Sequence, residues 1–119
     1  MADKKIVAEL TPSQAIEQYQ RAVEMEPNSA DKYMELGAAY YIAHRWDDAI
    51  QAFEKAAQLQ PDLGHVHYYL GVLYAAKGDK ARAQKELDAV IKVSKNPILI
   101  AQAKARIPAV TGPAQLARS

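Results

Sequence analysis

The chain repeats itself every 34 residues. Ala15, Ala49 and Ala83 fall on that period, as do Tyr19, Phe53 and Leu87, and Ala22, Ala56 and Val90. Leu36-Gly37-x-x-Tyr40 returns as Leu70-Gly71-x-x-Tyr74, and Pro27 returns as Pro61. A period of this size belongs to a supersecondary unit that cannot bury its apolar face alone and does so by stacking on its neighbours. The 119 residues are one domain's worth and hold only a few such units, so the expected core is elongated, not spherical. A period of this kind is the mark of a scaffold and not of an active site.

Local signals make each unit helical. Thr11-Pro12-Ser13-Gln14 reads as a helix start, with Thr11 as N-cap, Pro12 at the first helical position and Gln14 completing a capping box. Ala15, Ile16, Tyr19, Ala22 and Val23 recur at spacings of three and four, which places them on one face of a helix ending near Glu26-Pro27. Asn28-Ser29 caps a second helix over about 30–43, and a third runs over about 46–59 until Pro61 stops it. Asp62 is expected to cap a fourth helix that ends at Lys77-Gly78, and Asp79 to start a fifth reaching about Val93. Asn96-Pro97 starts a short sixth helix through about Ile107, ended by Pro108. Val110-Thr111-Gly112-Pro113 and the residues beyond lack periodicity and predict a mobile tail.

These positions resemble the tetratricopeptide repeat (TPR), whose unit is a helix pair marked by an aromatic, Leu-Gly, Tyr, Ala, Phe and Pro. Tyr33, Leu36, Gly37, Tyr40, Ala49, Phe53, Ala56 and Pro61 carry the pattern in one unit. Leu70, Gly71, Tyr74, Ala83 and Leu87 carry it in the next, with His67 in place of the first aromatic, Val90 for the late Ala and Lys95 where Pro is usual. Ala15, Tyr19, Ala22 and Pro27 match only the second half of a unit. The resemblance implies an all-α fold, a short right-handed TPR solenoid of antiparallel helix pairs. Its expected parts are an N-terminal segment at 1–11, a half repeat of one helix at 12–27, complete repeats at 28–63 and 64–96, a capping helix at 97–108 and a flexible tail at 109–119. Small residues at Gly37, Gly71, Ala49 and Ala83 let paired backbones approach, and Tyr40, Phe53 and Tyr74 fill the space between pairs. The leading unit lacks its first helix, so one face of the opening helix is expected to stand uncovered and to offer a contact for a second copy of the chain, for a partner, or for the N-terminal segment folded back.

Composition narrows the function further. Half the residues are hydrophobic, about a quarter are charged and the net charge is +1, which makes no global case for nucleic acid or a membrane surface. Up to Gln60 there are six Lys or Arg against ten Asp or Glu, a net of −4; from Pro61 onward there are nine against four, a net of +5. Such a gradient can steer an acidic partner to one end or favour head-to-tail self-contact, although a solvated surface with no partner is the reading to prefer. Lys77, Lys80, Arg82, Lys85 and Lys92 form the one basic cluster, yet no aromatic interleaves it and Asp79, Glu86 and Asp88 dilute it, which argues against nucleic acid. No cysteine is present, which excludes disulfides, thiolate nucleophiles and thiolate ligands. No apolar run approaches a membrane span or a signal-peptide core, so cytoplasmic placement is the expectation.

Chemistry-bearing residues do not converge. His65 and His67 are two apart and point about 200° apart on a helix, so they do not chelate one ion. Asp47 and Asp48 are adjacent, diverge on a helix, and are explained by the dipole of a first turn. His44 stands where the next unit has Gly78, which predicts a C-cap with positive φ. Trp46, the lone tryptophan, is expected to pack at the turn between paired helices. No enzyme activity, metal or cofactor is expected.

The resemblance implies where binding occurs instead. In this family the inner helix of each pair lines a groove, and the matching positions here are Asp31, Met34, Ala38, Tyr41 and Ile42, then His65, Tyr68, Val72, Ala75 and Ala76. They are mostly apolar, with two tyrosines and a methionine, which suits the apolar side of a helix or an extended peptide. The family's clamp for a C-terminal carboxylate needs Lys and Asn where this chain has Met34 and Ala38, so that clamp is absent. Ile98, Leu99, Ile100, Ala103 and Ile107 make the last helix apolar enough to cap the stack; folded into the groove instead, it would occupy the site from within. The expected function is protein binding by an adaptor or scaffold, with a self-associating assembly factor or small subunit of a complex as the alternative.

Overall fold

The computed structural model describes residues 10–118, with side chains to Val110. Among the described residues the secondary structure is six helices: α1 (Pro12–Met25), α2 (Ala30–Ile42), α3 (Trp46–Leu59), α4 (Gly64–Ala76), α5 (Lys80–Val93) and α6 (Pro97–Arg118). The chain divides into two compact units, Met1–Leu59 and Gln60–Ser119. The expected segment at 1–11 lies mostly outside the described residues.

In the first unit the capping box forms as expected. Gln14 N donates to Thr11 Oγ1 at 3.1 Å while Thr11 N donates to Gln14 Oε1 at 3.0 Å, which satisfies two of the free donors at a helix start. Ser29 Oγ accepts from Lys32 N and caps α2. α1 packs on α2, where Gln20 Nε2 donates to Tyr40 Oη at 2.8 Å, and α2 packs on α3. α2 and α3 come close at Gly37, where an added Cβ would lie 2.8 Å from Cδ1 and Cε1 of the Phe53 ring. Phe53, Ala49 and Ala56 are fully buried. Removing Phe53 from water contributes on the order of 2 to 3 kcal/mol.

The turn between α2 and α3 reverses through a left-handed residue. His44 has φ +62°; Arg45 N donates to Tyr40 O at 2.9 Å and His44 N to Tyr41 O at 3.1 Å, the two bonds of a Schellman cap. The second unit repeats this at Gly78, φ +85°, with Asp79 N donating to Tyr74 O at 2.9 Å and Gly78 N to Ala75 O at 3.0 Å.

In that unit Gly71 approaches Leu87 as Gly37 approaches Phe53, with an added Cβ falling 2.8 Å from Cγ and Cδ2 of Leu87. Asp79 caps α5 through Arg82 N, and Asn96 Oδ1 accepts from Ile98 N at 2.9 Å at the start of α6. Two expectations need correction. Asp62 does not cap α4: Leu63 holds that position and makes no side-chain cap bond. The repeat frame explains this, since Leu63 is 34 residues after Ser29, and Asp62 sits one residue too early. The last helix does not stop at Pro108 but runs to Arg118, taking in most of the stretch expected to be a tail. Proline inside a helix removes one backbone bond and costs about 3 kcal/mol. Here Pro108 is exposed, so water reaches the freed carbonyl, while Ala103 and Val110 on the same helix are buried and offset the loss.

Candidate protein-interaction site

The residues expected on the inner faces fall into two sets, one on α2 and one on α4. On α2, Asp31 is exposed, Met34, Ala38 and Tyr41 are half-buried, and Ile42 is 69% exposed. The helix ends against an aromatic cluster. Trp46 meets Tyr41 edge to face at 5.4 Å between ring centroids, and His44 stacks on Trp46 at 5.1 Å and 25°. Trp46 remains 42% exposed, so this turn presents a packed aromatic surface beside Ile42. Arg45 is held by Asp48 at 2.7 Å with its guanidinium 5.0 Å over the Tyr40 ring, which orders the turn from its polar side.

On α4, His65 and Ala76 are exposed and Tyr68, Val72 and Ala75 are half-buried. Here the last helix intervenes. α6 packs on α5 and also meets α4; Arg106 Nε donates to Tyr68 Oη and its guanidinium carbon lies 5.4 Å over the Tyr68 ring. The helix therefore packs against the α4–α5 pair and engages one of the two tyrosines expected in the groove. Arg106 carried no repeat signal, being 38 residues from Tyr68, and sequence reasoning missed it.

Sequence reasoning also missed the chemistry of His67. Its Nδ1 lies 2.7 Å from Glu86 Oε1 and its Nε2 lies 2.7 Å from the Pro61 carbonyl oxygen. Both neighbours only accept, so the imidazolium with two N–H donors satisfies the pair of contacts. The hydrogen bond to Glu86 is the main cause that raises the imidazole pKa above its ordinary value of 6.5; burial opposes it, and the Pro61 carbonyl and the Glu86 charge add to the rise. The arrangement clasps α4 to α5 and to the loop before α4.

The buried core among the described residues is apolar, with no buried polar or charged side chain, and no group of three His, Asp or Glu there is placed to hold a metal. No helix among the described residues is long and apolar enough to cross a membrane. What the geometry offers is contact surface.

Comparison with known proteins gives the family. Tetratricopeptide repeat family models match residues 11–64 and 41–107. The chain is 31% identical over 88 residues to the tetratricopeptide repeat and J domain-containing co-chaperone DNJ1 of Cryptococcus neoformans, covering 74% of this chain and 17% of that protein. It is 31% identical over 67 residues to Superkiller protein 3 of Saccharomyces cerevisiae, covering 56% of this chain and 5% of that protein. The chain thus spans less than a fifth of the length of these relatives. Among solved structures, MamA superposes with a TM-score of 0.80 at 26% identity, covering 88% of this chain and 60% of MamA. The first TPR of Spaghetti (RPAP3), bound to an HSP90 peptide, superposes at 0.76 with 17% identity, covering 91% and 81%. The type III secretion chaperone SycD of Yersinia enterocolitica, in complex with a peptide of the translocator YopD, superposes at 0.75 with 16% identity, covering 91% and 82%. The helix pairs, the glycine approaches and the matched family models together establish that this chain belongs to the tetratricopeptide repeat family.

Proposed function

We propose that the chain is a non-catalytic, cytoplasmic protein-interaction module that binds an apolar helical or extended segment of a partner. In this reading each unit offers its own contact residues, Asp31, Met34, Ala38, Tyr41 and Ile42 on α2 and His65, Tyr68, Val72 and Ala76 on α4. The observation that carries this reading is the aromatic cluster of Tyr41, His44 and Trp46, packed ring on ring yet exposed beside Ile42. Trp and Tyr are over-represented among the residues that supply most binding energy at protein interfaces, because they bury large area at low entropic cost. The peptide-bound states of two structural neighbours support the same class of function. The test is affinity capture with cross-linking by the wild type and by Tyr41→Ala with Tyr68→Ala. Capture is expected to fall at least roughly tenfold, about 1.4 kcal/mol, with the helical spectrum retained. Equal capture by both proteins would sink the reading.

A second reading, self-association as a scaffold or small subunit of a complex, is favoured by the exposure of α1. Ala15, Tyr19 and Ala22 are half-buried, whereas Ala49, Phe53 and Ala56, and Ala83, Leu87 and Val90, at the same repeat positions are at most 1% exposed. Sedimentation across a roughly hundredfold range of concentration tests it. A growing species that shrinks in high salt supports it, since exposed charge contacts are screened over about 8 Å at physiological ionic strength. A monomer throughout rejects it.

A further inference from the structure

A cleft of about 140 Å³ opens between α4, α5 and α6. Its walls are aliphatic: Gly71, Val72 and Ala75 come from α4, Leu87 from α5, and Ala109 and Val110 from α6. Lys80 and Arg106 complete the lining, and no carboxylate contributes to it among the described residues. An apolar cavity of about 150 Å³ holds a benzene molecule, so the cleft has room for a branched alkyl group of about six carbons.

The two cations are differently prepared. Tyr68 fixes Arg106 by accepting from its Nε and by lying under its guanidinium. A guanidinium has five N–H donors, and those on the two Nη atoms are left for another acceptor. Lys80 is exposed and makes no ion pair among the described residues. The unit around them, Gln60–Ser119, carries nine Lys or Arg against four Asp or Glu, which raises the local concentration of anions. An aliphatic wall with two cations and no countercharge complements an amphiphilic anion.

We propose that this cleft binds a branched aliphatic carboxylate, its alkyl end against Val72, Leu87 and Val110 and its carboxylate paired with Lys80 and Arg106. Two sources share that chemistry, a free short-chain acid and the C-terminal leucine or similar residue of a polypeptide. The cleft shares Val72 with the groove contact proposed above, and its Arg106 rests on Tyr68; the two readings are told apart by the probe, a small acid here and a partner protein there, and by Lys80→Gln and Ala109→Leu, which touch no residue of the groove contact.

The experiment is a titration of the full chain, methyl-labelled for NMR, with 4-methylpentanoate, 4-methylpentanamide and N-acetyl-leucine. The acid is expected to give saturable shifts at the Val72, Leu87 and Val110 methyls with millimolar affinity, and the amide to bind roughly tenfold more weakly. Lys80→Gln, at an exposed position, abolishes the preference for acid over amide. Ala109→Leu, also exposed, fills the cleft and removes binding of both while the melting temperature holds. Tighter binding of N-acetyl-leucine than of 4-methylpentanoate supports the site and assigns it to a chain end; weaker binding supports it and assigns it to a free acid. No saturable shift, equal binding of acid and amide by the wild type, or shifts confined to methyls outside the cleft would overturn the proposal.

Discussion

The pairs α2–α3 and α4–α5 are built on one frame and filled with different chemistry. Both place a glycine over a large apolar side chain, but that side chain is Phe53 in the first and Leu87 in the second. Both reverse through a left-handed residue, His44 in the first and Gly78 in the second. At the position where α2 carries Tyr33, with Lys55 Nζ 6.0 Å from its ring, α4 carries His67 against Glu86. Ala52, buried, stands in the first pair where Glu86 stands in the second. The frame thus demands volume and backbone shape at these positions and leaves their chemistry free. The first pair uses that freedom for an exposed aromatic turn, and the second for a titratable clasp and a cation-lined cleft.

The largest effect that separates the pairs is expected at the glycines. Gly37→Ala drives a Cβ into the rigid ring of Phe53, and Gly71→Ala drives one into Cγ and Cδ2 of Leu87, a side chain with more ways to turn aside. Both overpack a full core, at a cost of about 2 to 3 kcal/mol for Gly37 and about 1 to 2 kcal/mol for Gly71, after the gain in helix propensity. Urea unfolding measures both. Equal losses would show that ring rigidity does not distinguish the pairs.

A smaller contrast lies in the turns. Nothing lies within 4 Å of a Cβ on Gly78, so Gly78→Ala meets only backbone strain, about 1 kcal/mol. His44→Gly relieves similar strain but removes the stack on Trp46, worth about 0.5 to 1.5 kcal/mol, so a net change within about 0.5 kcal/mol is expected. A gain well above that in thermal unfolding would mean the stack contributes nothing.

The mildest contrast is in pH. The His67 pKa is raised in the folded chain, so the stability it contributes is fully present below the ordinary value near 6.5 and is lost as pH rises through the raised value. His67 is partly exposed, and solvent screening keeps the effect small. The urea midpoint is expected to fall from pH 5.5 to pH 8.5, about three units spanning the titration of histidine, and Glu86→Gln is expected to remove most of that slope. His67→Tyr, which restores the residue type of the first pair, should flatten it too. An unchanged slope in Glu86→Gln would place the dependence elsewhere.

Much of the fold is legible in particular residues. Thr11 with Gln14, Ser29, Asp79 and Asn96 announce helix starts through side chains that satisfy local backbone donors. His44 is readable as a left-handed cap because Gly78 stands one period later. The same period marks Ala49, Phe53, Ala56, Ala83, Leu87 and Val90 as core. Asp62 misleads because a good capping residue beside the cap position looks the same as one on it. The candidate contact residues are legible only as helix faces, since repeat positions say which side of a helix points inward and nothing about what else arrives there.

By itself, the sequence determined the unit, its length, most of its helix starts and the buried positions of the two complete pairs, because each rests on side chains within a few residues of one another or on a strict period. Tertiary structure alone decided that α6 continues beyond Pro108, that Arg106 lands on Tyr68, that His67 reaches both Glu86 and Pro61, and that Gly71, Leu87 and Val110 leave a cleft among them. These contacts join different helices or the loops between them, and their distances depend on how those helices cross. A periodic pattern states which faces must be buried; the crossing geometry sets which side chains meet once they are.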